Sequence, residues 1–341
     1  MTIRRAIPFF SVAFLLVAAA AAQTPPGQTC TQLTQDHADA SAGTPNINHD
    51  GTPLPGVPAP DISRGFNGIP RSAQPPLTAS QKRIWECTYH LTEANADMPY
   101  TLFIPATWDA KKPSPLIVDL HGLNITPLQQ ILFDGATDFA ERFGFIVLAP
   151  MGYSVTGGWG GRNGQPVANT QHTTSELSEI DAMSTLKLMR EKFNIDSDRI
   201  FLMGHSLGGW GTYFLGQKYN DIWAGIAPIS GAFGIPEGAA ERYKSIPALI
   251  MHGAKDSIVS VNTSRRVVLA LQAAGAPHIY LEFPDLDHEF WIRRGADHME
   301  RVFLFFSMLS KKTNPGFITP EMAPAPAPRA DNYCLPRFFP R

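Results

Sequence analysis

The sequence predicts an α/β fold: a mostly parallel central sheet with helices on both faces. Three observations carry that expectation. Short apolar runs alternate with segments of helical spacing through residues 81–314. Several of these runs are apolar at every position, the composition of strands buried on both faces. The connections between them are short, as in sheets whose strands are joined by crossover helices.

Residues 100–104 have strand composition and stop at Pro105. Residues 116–120, 145–148, 200–203, 224–229, 248–251 and 279–283 follow as buried-strand candidates. Helical spacing runs through 128–143 by way of Leu128, Ile131, Leu132, Phe139 and Phe143. It returns in 176–193, where Leu177, Ile180, Leu186 and Met189 share a face, and in 211–219, 262–274 and 297–309. A long glycine-rich loop occupies 152–174.

The flanks have a different composition. Residues 1–22 read as a secretory signal: Arg4 and Arg5 precede an apolar run, and Ala20 and Ala22 offer a small-residue cleavage site before Gln23. The run is too short for a spanning helix and Pro8 interrupts it, so no stable membrane insertion is expected. Residues 23–80 are rich in Pro, Gly and small polar residues and read as a linker or loosely draped arm. Residues 315–341 read as a Pro-rich tail. The net charge of −2, without long charged runs, argues against nucleic-acid binding. Of the three cysteines, one pair can form after export: Cys87 and Cys334 bracket the folded region and are the favoured pair, with three free thiols the alternative. No C-x-x-C spacing suggests zinc, and no metal or organic cofactor is expected. The oligomeric state is not legible.

Gly204-His205-Ser206-Leu207-Gly208 follows the apolar run 200–203 directly and opens a helical segment. This is the context of a nucleophile elbow, in which a sharp strand-to-helix turn pushes a serine hydroxyl clear of the sheet. Glycine two residues either side removes side chains that would crowd the turn. Serine needs a base, and the base needs an orienting acid. In this context the acid and then the histidine follow the nucleophile in chain order, each at a strand end. His288 lies just past the strand ending at Phe283, and is the candidate base. His278 precedes that strand, His298 falls in a helix, and His252 comes before the candidate acid. Asp256, in the turn after strand 248–251, is that acid; Asp285 and Asp287 are expected to shape the histidine loop. The oxyanion donors are expected to be the amides of Leu207 and of Leu123, in the loop His121-Gly122-Leu123-Asn124. His121 is expected to brace that loop. Trp159 and Trp210 could offer flat surfaces to substrate, with core packing the alternative reading of both.

At Gly204–Tyr213 and through Lys218-Tyr219-Asn220-Asp221-Ile222-Trp223-Ala224, Ala227-Pro228-Ile229-Ser230-Gly231 and His252-Gly253-Ala254-Lys255-Asp256, the chain resembles the secreted esterase and predicted-peptidase group. That group is similar to the prolyl-oligopeptidase catalytic domain and to the polyhydroxybutyrate-depolymerase and feruloyl-esterase lineage. The resemblance spans about residues 100–309. It implies an α/β-hydrolase fold, with Ser206, Asp256 and His288 as catalytic residues. No propeller repeats precede the core, and residues 232–245 leave no room for a large lid. The expected activity is hydrolysis of a small-molecule or polymer-linked ester. A peptidase with the same triad, or a non-catalytic carbohydrate-binding or scaffold protein on the same fold, are the alternatives.

Overall fold

The computed structural model describes residues 24–41, 75–161, 164–289 and 296–313. The predicted signal, the Pro-rich tail and Cys334 lie outside the described residues. The described strands are β1 (Thr29–Gln32), β2 (Ile84–Leu91), β3 (Ala96–Phe103), β4 (Ser114–Leu120), β5 (Ile146–Pro150), β6 (Ile195–His205), β7 (Gly225–Ile229), β8 (Ala248–Gly253) and β9 (His278–Phe283). The α-helices are α1 (Gln35–Ser41), α2 (Pro127–Ile131), α3 (Ala136–Phe143), α4 (Thr174–Lys192), α5 (Leu207–Lys218), α6 (Asn262–Ala274) and α7 (Ala296–Ser307).

The nine strands form one sheet in the order β1-β2-β3-β5-β4-β6-β7-β8-β9. The β1/β2, β2/β3 and β3/β5 pairs are antiparallel, and every pair from β5/β4 onward is parallel. β4 is buried at all seven positions, and β7 and β8 are buried throughout, as strands covered on both faces must be. Side chains alternate between the faces with the period of two that a pleated strand imposes. Leu202 joins the cluster under α4, α5 and α6, with Leu186, Leu215 and Leu271. Phe201 and Met203 join the opposite cluster under α2, α3 and α7, with Ile131, Ala140 and Phe306. Among the described residues no helix is long and apolar enough to cross a membrane.

Several expectations are corrected. Residues 128–143 do not form one helix: the chain breaks after Ile131, and Gly135, at φ 81°, restarts it as α3. A left-handed turn needs a residue without a Cβ, and an apolar spacing that stays in phase across the break hides it. Part of the predicted arm is not loose. β1 adds an edge strand to the sheet, and Leu33 and Ala38 are buried in the core. β1 and β2 carry too many polar residues to stand out as buried strands.

The predicted Cys87–Cys334 pair is also overturned. Cys30 bonds to Cys87. The two stand directly opposite each other in the antiparallel β1/β2 register. Facing positions in a ladder bring the sulfurs together however long the intervening chain, which here separates them by 57 residues.

Candidate active site

Ser206 sits between the end of β6 and the start of α5, at φ 58° and ψ −114°. That left-handed backbone costs a non-glycine residue about 1–3 kcal/mol, so its surroundings must hold it. They do: the Ser206 amide donates to Ile229 O at 2.9 Å, and the Trp210 amide donates to Ser206 O at 3.0 Å. The flanking glycines are sterically required. A Cβ on Gly204 would lie 2.6 Å from the Gly208 carbonyl carbon, and one on Gly208 would strike the carbonyl oxygen of Leu120.

Asp256 lies in the turn between β8 and α6, its side chain fully buried. Four donors converge on its carboxylate. Oδ1 accepts the amides of Val259 at 2.7 Å and Ile258 at 3.0 Å. Oδ2 accepts His288 Nδ1–H at 2.8 Å and His252 Nε2–H at 3.1 Å. Burial alone would raise the Asp256 pKa. The bonds from His252, His288 and the Val259 amide together outweigh it and hold the carboxyl well below its usual range.

His288 stands on the loop after β9, with its side chain nearly buried. Its carbonyl accepts His205 Nε2–H at 2.9 Å, and the two rings lie 4.8 Å apart. His205 is the residue before Ser206, so this bond ties the His288 loop to the Ser206 turn. Burial, and then the neighbouring His288, push His205 down to about 3, which keeps it a neutral donor. Asp287 Oδ1 accepts the amides of Ser257 at 2.8 Å and His288 at 2.6 Å. Asp285 pairs with Lys255 at 2.8 Å. These two carboxylates lace the Asp256 turn to the His288 loop.

The loop after β4 packs against Ser206. A Cβ on Gly122 would lie 3.6 Å from Ser206 Cβ and 3.3 Å from His205 O. The amides of Asn124 and Ile125 are engaged, with Val155 O at 2.9 Å and with Gly122 O at 3.3 Å. Leu123, between Gly122 and Asn124, is half exposed. Leu207 opens α5, where the first amides of a helix find no acceptor within it. His121 is fully buried, with its two ring nitrogens 2.8 Å from Gly122 O and 2.6 Å from Met151 O. Trp159 Nε1–H donates to His121 O at 3.1 Å.

Trp159 is therefore not a substrate platform. It is 0% exposed, packed under the loop after β4 and against Gly211. Trp210 is half-buried and stacked on Phe214 at 5.2 Å with an interplanar angle of 7°. The aromatic signal was legible in the sequence, whereas the depth of each ring depends on the helix packed over it. Sequence reasoning also passed over the placement of His205 and His252. The signals were there: His205 is the residue between the first glycine and the serine of the elbow, and His252 stands four residues before Asp256 on the same strand-to-turn segment.

A serine on a strained elbow, an Asp–His pair at neighbouring strand ends and a mostly parallel sheet covered on both faces define the α/β-hydrolase fold. Within it, the chain belongs to the dienelactone hydrolase family, which matches residues 107–306. Among curated proteins it is similar to the bifunctional acetylxylan esterase/xylanase XynS20E of Neocallimastix patriciarum, 29% identical over 43% of this chain and 20% of that protein. It is also similar to feruloyl esterase B of Neurospora crassa, 29% identical over 36% of this chain and 40% of that one. The chain thus spans less than half the length of these relatives. Among solved structures, a thermostable esterase is 25% identical with a TM-score of 0.53, covering 67% of this chain and 63% of the other. A ferulic acid esterase at 17% identity has a TM-score of 0.55 over 66% of this chain and 97% of its own, a likeness of fold.

Proposed function

We propose that this protein is a serine carboxylic ester hydrolase that passes through an acyl-enzyme on Ser206. The observation that carries the reading is the 2.8 Å bond from His288 to the buried Asp256, on a loop whose backbone is bonded to the neighbour of Ser206. Ser206 Oγ attacks the ester carbonyl carbon while His288 Nε2 takes its proton. Asp256 stabilises the imidazolium that forms. The amides of Leu207 and Leu123 receive the oxyanion, where preorganised donors act without reorganisation cost. The carbon–oxygen bond to the alcohol then breaks, and His288 returns the proton to the departing oxygen. Water, activated by the same imidazole, releases the acid and restores Ser206. An ester rather than an amide substrate is supported by the acetylxylan and feruloyl esterases among the relatives.

The substrate is a small-molecule or polymer-linked ester, bound near Trp210 and needing no cofactor. The catalytic unit is residues 81–314 together with the 24–41 segment on its sheet edge, exported after removal of residues 1–22. The Cys30–Cys87 bond supports an oxidising destination. A fluorophosphonate probe tests the reading: the wild type becomes labelled and Ser206→Ala does not. A panel of acetyl, feruloyl, short-chain and polyester substrates beside a peptide anilide then reads the class. An unlabelled wild type, or turnover of the anilide alone, would sink it.

A further inference from the structure

Asp256 carries more than its partnership with His288 requires. A second imidazole, His252, reaches the same oxygen, Oδ2, at 3.1 Å. His252, the penultimate residue of β8, has 0% exposure, so it cannot be an alternative base for substrate. Its protonation is readable from its partners. Nε2 faces Asp256 Oδ2 and, at 2.9 Å, Val259 O. Both are acceptors, so Nε2 carries the hydrogen. Nδ1 lies 2.7 Å from the hydroxyl of Ser264 on α6, a residue 1% exposed. With the hydrogen on Nε2, Nδ1 of the neutral ring is left to accept that hydroxyl's hydrogen.

From this geometry we infer that His252, oriented by Ser264, is a positioning residue for the Asp256–His288 pair. The inference rests on the ester-hydrolase reading of the site for its kinetic consequence and on the geometry alone for its structural one. His252 fixes the plane of the Asp256 carboxylate, together with the Val259 and Ile258 amides on the other oxygen. It also divides the carboxylate's charge between two donors. His288 therefore receives a weaker pull than an Asp held only by amides would exert, and its imidazolium is less stabilised. The sign follows: removing the His252 donor leaves Oδ2 to His288 alone, so the carboxylate holds the imidazolium more strongly. The titratable groups around His252 are Asp256 on its own turn, His288 on the loop after β9, His205 at the end of β6, Glu282 on β9 and, through Ser264, Tyr213 on α5.

The test uses the full chain and three variants: His252→Gln, which keeps an amide donor, His252→Leu, which removes it, and Ser264→Ala, which removes the partner of Nδ1. His252→Leu is expected to lose about 10- to 100-fold in kcat with KM little changed, as for a misplaced catalytic geometry. The acidic limb of its kcat/KM profile moves to higher pH. His252→Gln recovers part of both, and Ser264→Ala falls between. Proton NMR of the His288 Nδ1–H resonance is the readout independent of turnover: it shifts in His252→Leu and returns towards the wild-type position in His252→Gln. Circular dichroism and thermal midpoints separate misfolding from mispositioning. If His252→Leu folds and keeps the wild-type pH profile and resonance, the inference is wrong. If wild type neither labels with fluorophosphonate nor turns over esters while the resonance still shifts, the hydrolase reading fails and the positioning role stands.

Discussion

Asp256 is buried and ionised, and its value to the site is the geometry it imposes on His288. Replacing it with Asn keeps the size and alters the hydrogen-bond pattern. The His288 tautomer is then no longer enforced, and kcat should fall by about four orders of magnitude, as for a triad Asp changed to Asn elsewhere. The check is steady-state kinetics beside a thermal melt. A folded Asp256→Asn enzyme with near-normal kcat would remove Asp256 from its role. Asp181 on α4 has the opposite electrostatics. Burial raises it to about 7 from 3.8, and the bonds from Tyr89 and from the Gly152 amide only partly offset that. A carboxyl with a raised folded pKa binds more protons folded than unfolded between those two values. Its contribution to stability therefore declines as pH rises from about 4 to about 7 and stays low above. Asp181→Asn removes the titration. The difference in unfolding midpoint, variant minus wild type, should grow more favourable from pH 5 to pH 8. Equal differences at the two pH values would show that Asp181 does not titrate in this range.

At the scale of elements, the β1/β2 ladder shows how a weak strand is retained. β1 is four residues long and mostly exposed, so little burial holds it. The Cys30–Cys87 bond does, by closing a loop of 57 residues in the unfolded chain. Loop-closure entropy puts that at about 4 kcal/mol. Cys30→Ala should lower stability by a large part of that amount in denaturant titrations. Reductant should shift the wild type towards the variant and leave the variant unmoved. α4 is a contrasting case, a long helix with a legible start. Thr173 caps it in a full capping box with Glu176. The sequence window opened at Glu176, within a turn of the true start, because apolar spacing marks the buried face and not the cap.

At the scale of the whole molecule, the sheet order makes the site. β6, β7, β8 and β9 are consecutive neighbours, all parallel, so the turns after β6, β8 and β9 emerge along one edge. Ser206, Asp256 and His288 stand on those turns. The N-terminal segment completes the far side: it covers the free edge of β2 and places Leu33 and Ala38 in the core. Deleting residues 24–41 should expose that edge and lower the thermal midpoint, with aggregation of a kind an uncovered strand invites. A truncated chain with an unchanged midpoint and no aggregation would show that β1 is dispensable.

The sequence by itself determined the alternation of strands and helices, the elbow at Ser206, and the chain order that singles out Asp256 and His288. Those features are written in local periodicity and spacing, which a short window carries in full. Only the tertiary structure decided that Cys30 rather than Cys334 faces Cys87, that Trp159 is buried, and that His252 and His205 close around the Asp256–His288 pair. Each of these depends on how separate elements pack, and the Cys30–Cys87 and His205–His288 contacts join residues tens of positions apart. Which side chains meet there follows from the order in which strands lie in the sheet, and no local pattern of residues encodes that order.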